Sequence, residues 1–230
     1  MSTFVLVHGS HVGGWAWKHL AARLRAQGHL VYHPSMDGAA ERVPGLRPEI
    51  TLDSQGREVA GLMFYEDLGD VILVGTSVGG MVVARAAEEV PERVGRVVFI
   101  DALVPLPGEL VATINGRARR DTTDLAYGPS VEESMANGFR GLSPELQAWA
   151  RPRYTRHPRL PVDEPVDLQR FWSLQWRADV LRCTQGSLPP EAHQRRTAER
   201  LGATFEEIDA GHYVMLSHPD ELARYLTTRG

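Results

Sequence analysis

Short apolar runs alternate with segments of helical spacing along most of the chain. Phe4–Val7, Leu30–Tyr32, Val71–Val74, Val97–Ile100 and Val180–Cys183 read as buried strands, and Thr204–Ile208 as the last one. Between them Trp15–Gln27, Leu52–Tyr65, Gly79–Val90, Glu191–Leu201 and Asp220–Thr228 read as helices. Gly28, Pro91 and Gly202 supply expected helix stops. Strand and helix in alternation, joined by short links, predict an α/β fold with a mostly parallel central sheet flanked by helices on both faces.

The alternation breaks between Leu103 and Ala178. That stretch is rich in Pro, Arg and aromatics, among them Phe139, Trp149, Tyr154, Phe171, Trp172 and Trp176, and shows no convincing buried strand. Ten arginines against nine carboxylates nearly cancel in it. It reads as a mainly helical insertion over one end of the sheet, within a single domain spanning residues 1–230. Its aromatics also serve as a satellite core, since a cap must pack on something.

The chain has 230 residues, of which 43% are hydrophobic and 23% charged, which suits one large folded domain and excludes a disordered chain. A net charge of −4 offers no basic excess for nucleic acid or an anionic membrane. No apolar stretch approaches the ~20 residues that span a bilayer. The N-terminus lacks a basic start and a small-residue cleavage site, so the expected location is cytoplasmic. The lone Cys183 can form neither an internal disulfide nor a thiolate metal cluster.

Three segments carry candidate chemistry. Val71-Ile-Leu-Val-Gly75-Thr76-Ser77-Val78-Gly79-Gly80 fits Gly-x-Ser-x-Gly with a strand before it and a helix after. A serine on such a sharp turn projects its hydroxyl at the carboxyl end of the sheet, with flanking glycines giving neighbouring segments room to approach. Ser77 is therefore the candidate nucleophile. The loop His8-Gly9-Ser10-His11-Val12-Gly13-Gly14 after the first strand can aim a backbone N–H at it. Acyl transfer needs two donors about 3 Å from the developing oxyanion, assigned here to the N–H groups of Ser10 and Val78. The loop lacks Gly-x-Gly-x-x-Gly and a P-loop lysine, which argues against a nucleotide. His212, in Ala210-Gly211-His212-Tyr213 between the last strand and the last helix, is the candidate general base.

Together these segments resemble the α/β-hydrolase superfamily, and within it the branch of plant methylesterases and hydroxynitrile lyases with their bacterial relatives. The resemblance runs nearly end to end and includes Asp101-Ala102-Leu103-Val104-Pro105, Cys183-Thr184 through Glu191, and Ser217-His218-Pro219. It implies a Ser–His–acid triad, no metal or organic cofactor, and a helical cap between the sixth and seventh strands of that fold, matching 103–178.

Two departures from that branch bear on function. Its lyases carry a threonine after the first-loop histidine and a lysine after the catalytic histidine, where this chain has Gly9 and Tyr213. With no positive charge to stabilise departing cyanide, an esterase is expected rather than a lyase; a non-catalytic small-molecule receptor of the same fold is the other alternative. The branch also places its acid in a Cys-Thr-x-Asp segment, and this chain reads Cys183-Thr184-Gln185-Gly186. Asp101, directly after Val97–Ile100, is the expected replacement, since it emerges at the same sheet end as Ser77 and keeps the nucleophile–acid–histidine order. Asp209 is too near His212 in sequence, Asp179 precedes its strand, and at least one of Glu206 and Glu207 must face solvent.

The expected activity is hydrolysis of a carboxylic ester of a small to medium, apolar or aromatic compound. His11, Trp149, Trp172 and Trp176 are the expected substrate-binding residues. The pattern leaves open whether the chain is a homodimer.

Overall fold

A computed structural model describes residues 1–119 and 121–228. Six parallel strands form the central sheet: β1 (Thr3–Val7), β2 (Leu30–Tyr32), β3 (Val71–Ser77), β4 (Val94–Ala102), β7 (Ala178–Cys183) and β8 (Thr204–Ile208). Their order across the sheet is β2-β1-β3-β4-β7-β8. Strands β1, β3 and β4 are buried on both faces, which is why their sequences read as apolar runs rather than as alternation.

Helices cover both faces. On one side α2 (Leu52–Tyr65), α3 (Gly79–Glu89) and α9 (Glu191–Leu201) pack on Val5, Leu73, Val97 and Phe99. On the other, α1 (Lys18–Ala26), α10 (Val214–Ser217) and α11 (Pro219–Thr227) pack on Phe4, Leu6, Val74, Val98 and Ile100. Thr51 caps α2 with a reciprocal pair of bonds to Ser54, so the polar start of that helix is satisfied before its apolar stripe begins. Gly202 closes α9 in the left-handed conformation that favours glycine.

The strands outrun their apolar runs. β3 continues through Gly75 and Thr76 to Ser77, and β4 reaches back to Val94 and on to Ala102, because both are paired with neighbours along that length. β7 begins at Ala178, so Asp179 lies inside the strand rather than before it; Ala178 and Asp179 pair with Val97 and Val98 of β4. The first helical segment opens with a 3-10 turn at Gly14–Trp17 ahead of α1.

Among the described residues between β4 and β7 lie five short α-helices: α4 (Val111–Ile114), α5 (Val131–Ala136), α6 (Pro144–Ala150), α7 (Leu160–Asp163) and α8 (Gln169–Ser173). The stretch is not free of strand. β5 (Ala126–Tyr127) and β6 (His157–Pro158) form a two-stranded antiparallel ladder, too brief to leave a periodic signal in the sequence.

Candidate active site

The chain turns in opposite directions after β1 and β3: β2 lies on one side of this adjacent pair and β4 on the other. The loops leaving their carboxyl ends therefore run to opposite sides, and it is at such a switch point that parallel sheets bind ligands. Ser77 closes β3 with φ +53°, a left-handed value that is unusual for a side chain other than glycine. A Cβ at Gly75 would lie 2.6 Å from the Gly79 carbonyl oxygen, and one at Gly79 would lie 2.5 Å from that of Val7. The glycines thus let the turn close around the serine.

The first loop approaches the serine just as closely. A Cβ at Gly9 would stand 2.6 Å from Ser77 Cβ and 3.3 Å from its Oγ. His8 anchors this loop from below. Its Nε2 accepts from Met36 N–H at 2.9 Å and its Nδ1 lies 2.8 Å from the Gly9 carbonyl, which fixes the tautomer with the proton on Nδ1. Burial lowers the His8 pKa to about 4, so the imidazole is neutral and structural. Neither Ser10 N–H nor Val78 N–H has an acceptor among the described residues.

Asp101 owes its place to a bulge. Thr76 pairs with Ile100, but Ser77 pairs with Ala102, so β4 carries one residue more than β3 at this point. Val97 and Phe99 face one core and Val98 and Ile100 the other; Ala102 rejoins Phe99's side instead of continuing the alternation. The extra residue is Asp101, at φ +44°. A bulge at a strand end re-aims one side chain, and here it aims a carboxylate across the sheet's carboxyl end.

That carboxylate reaches His212 in the loop after β8. His212 Nδ1 and Asp101 Oδ2 are 2.6 Å apart, with the aspartate side chain 2% exposed and the histidine 21%. Asp101 Oδ1 accepts from Gln194 Nε2 at 2.8 Å and from Cys183 N–H at 3.4 Å. Burial and the neighbouring Asp101 charge push the Cys183 thiol up, which keeps it protonated and inert. No hydrogen bond joins Ser77 Oγ to the His212 ring among the described residues; contacts of this kind often tighten only as substrate binds.

The competing carboxylates are engaged elsewhere. Asp209 accepts from Thr184 Oγ1 at 3.1 Å and Gln185 Nε2 at 3.2 Å, and Asp179 pairs with Arg96. Glu207 pairs with Arg182 and Arg195. Tyr213 is buried and stacks on Phe139 with centroids 4.0 Å apart, so an apolar ring fills the position after the histidine. Among the described residues no group of three or more His, Cys, Asp or Glu is placed to hold a metal ion.

The predicted substrate-binding residues divide. His11 lies beside Ser10, its ring stacked on Tyr154 and edge-on to Tyr127. Trp149 packs against Trp15 and His19 beneath the Arg153 guanidinium. Trp172 and Trp176 surround Phe171, donating to the carbonyls of Pro105 and Phe171. The Trp149, Trp172 and Trp176 contacts anchor the segment between β4 and β7. Sequence reasoning missed Gln194 and Tyr127. A buried glutamine inside an otherwise amphipathic α9 was the available signal for the first; the second sits on a ladder too short to read.

A family model matches residues 4–225 of the chain. The chain belongs to the alpha/beta hydrolase family. A carbendazim hydrolyzing esterase of Nocardioides sp. is 28% identical over 242 residues, covering all of both chains. Methylesterase 10 of Arabidopsis thaliana is 37% identical, across 97% of this chain and 90% of its own. Among solved structures, an extracellular alpha/beta-hydrolase from a Paenibacillus species, described as a structural and functional homologue of tobacco salicylic acid binding protein 2, superimposes with a TM-score of 0.87. It is 26% identical and the match covers 100% and 99% of the two chains. The methylesterase branch expected from the motifs is the one these relatives occupy, and the chain is a carboxylic ester hydrolase.

Proposed function

We propose that the protein cleaves carboxylic esters of small to medium, apolar or aromatic compounds through a Ser77–His212–Asp101 triad and an acyl-enzyme. The observation that carries this reading is the 2.6 Å contact between His212 Nδ1 and Asp101 Oδ2, made by a carboxylate that a bulge delivers to the sheet end where Ser77 sits. Asp101 holds the imidazole with its proton on Nδ1, leaving Nε2 to take the Ser77 proton. Ser77 Oγ then attacks the ester carbonyl, and the N–H groups of Ser10 and Val78 stabilise the oxyanion. His212 returns the proton to the departing alcohol, and water, activated by the same imidazole, releases the acid.

The segment between β4 and β7 acts as a cap that sets substrate range. Relatives named for methyl esters and for carbendazim favour a compact alcohol and an aromatic body as the first substrates to try. The buried Tyr213 gives no support to a lyase. A fluorophosphonate probe tests the assignment directly: wild type should label and lose esterase activity in step. Ser77→Ala should neither label nor turn over, with kcat reduced on the order of 10⁶-fold. Turnover retained by purified Ser77→Ala would refute the nucleophile.

A further inference from the structure

The turn that presents the Ser10 N–H is not self-supporting. His11 holds φ +69°, a conformation that a side chain other than glycine keeps only where its surroundings enforce it. The supports come from the segment between β4 and β7. Tyr127 OH lies 2.6 Å from Ser10 Oγ, and Thr155 N–H donates to the His11 carbonyl at 3.2 Å. Tyr154 stacks on the His11 ring at 5.5 Å, and Tyr127 and His157 meet it edge-on.

Tyr127 is itself fixed. It pairs with His157 in the β5–β6 ladder, and its ring packs edge-on against the neutral His157 imidazole. The next residue, Gly128, has φ +142°, and a Cβ there would lie 2.5 Å from His11 Cε1 and 2.9 Å from Tyr154 OH. No larger residue fits this approach without moving the histidine.

We propose that Tyr127 is a positioning residue of the oxyanion hole. Its hydroxyl, bonded to Ser10 Oγ, holds the strained Ser10–His11 turn so that the Ser10 N–H faces the developing oxyanion. This rests on the esterase reading above and adds to it a dependence of catalysis on the inserted segment. A misdirected oxyanion donor weakens transition-state binding while leaving the ground state nearly untouched, so the loss belongs in kcat.

Three variants and two measurements test this: Tyr127→Phe, Ser10→Ala and the double variant, by p-nitrophenyl acetate kinetics and by amide hydrogen exchange at Thr155, whose N–H is bonded to the His11 carbonyl. Ser10→Ala removes the same bond from the other side, keeps the backbone donor, and carries the test if Tyr127→Phe does not fold. Each single variant should lose kcat about tenfold with KM within about twofold, and the double variant should lose no more than either. Exchange at Thr155 should quicken by about tenfold while the rest of the protein is unchanged. Exchange at the wild-type rate in both single variants would overturn the proposal, as would losses that multiply in the double variant. A kcat loss with unchanged exchange would make Tyr127 a direct substrate contact and overturn it as well. Should the wild type itself fail to hydrolyse, the esterase reading falls while the exchange measurement still decides the role of the bond.

Discussion

A side chain at Gly186 would begin 3.4 Å from the Asp101 carboxylate, an ordinary van der Waals contact. Position 186 is where the methylesterase branch carries its acid. The Asp101 carboxylate from the end of β4 thus lies both beside His212 and within reach of a side chain at 186.

Asp101→Asn should accordingly reduce kcat by about 10⁴, or about 5.4 kcal/mol of barrier, by favouring the wrong imidazole tautomer. Adding Gly186→Asp should restore a substantial part of that loss, since the new carboxylate starts from contact distance. Steady-state kinetics on the single and double variants decide the matter. A single variant keeping more than about a tenth of wild-type activity would exclude Asp101 as the acid.

Gln194 donates to the Asp101 oxygen that does not face His212, and so fixes the rotation of the carboxylate. A hydrogen bond to a charged group contributes about 1.5–3 kcal/mol, so Gln194→Leu should reduce kcat by roughly tenfold or more. Gln194→Glu should be worse, placing a second carboxylate against the first. Equal activity in wild type and both variants would remove Gln194 from the catalytic support.

Acid should destabilise the fold through its buried histidines. Burial lowers the pKa of His8 and His193 to about 4 from an ordinary value of 6.5, so below 6.5 the unfolded chain binds protons that the folded one refuses. Stability therefore rises with pH between about 4 and 6.5 and is lost as pH falls through that window, by about 3 kcal/mol for each histidine at its lower end. Denaturant midpoints between pH 7.5 and 5 would show this, because carboxylates contribute little in that range. His8→Gln should flatten the slope; an unchanged slope would contradict the assignment.

Arg96 and Asp179 form a buried pair at the amino end of the sheet, 2.5 Å apart, with Arg96 also donating to the Leu226 carbonyl at 3.2 Å. Removing Arg96 leaves Asp179 buried without the guanidinium that faces it, so Arg96→Met should cost about 3–5 kcal/mol of stability, and Arg96→Met with Asp179→Leu clearly less. Urea melts of both variants check the order. Because the pair lies at the far end of the sheet from Ser77, kcat in the folded variants should be unaffected.

The six sheet strands and the five main helices were legible because period and stop signals agreed, and the strand-to-helix turn at Ser77 because its pentapeptide fell between strand and helix. Asp101 could be placed by elimination and chain order, but not the bulge that aims it, since one extra residue in an apolar strand leaves the pattern intact. Trp172 and Trp176 stood out by composition alone; composition does not say which way a ring faces, and both pack on Phe171. Tyr127 and Gln194 were invisible because their partners, Ser10 and Asp101, are 117 and 93 residues distant.

The grip of Tyr127, Tyr154 and Thr155 on the Ser10–His11 turn also limits how this enzyme can be re-engineered. Transplanting the segment between β4 and β7 from a relative, to alter which esters enter, would remove those three contacts. If that segment is the cap proposed above, selectivity and turnover would not be independent variables in this scaffold. A successful graft would have to carry its own hydroxyl to Ser10 and its own ring to His11.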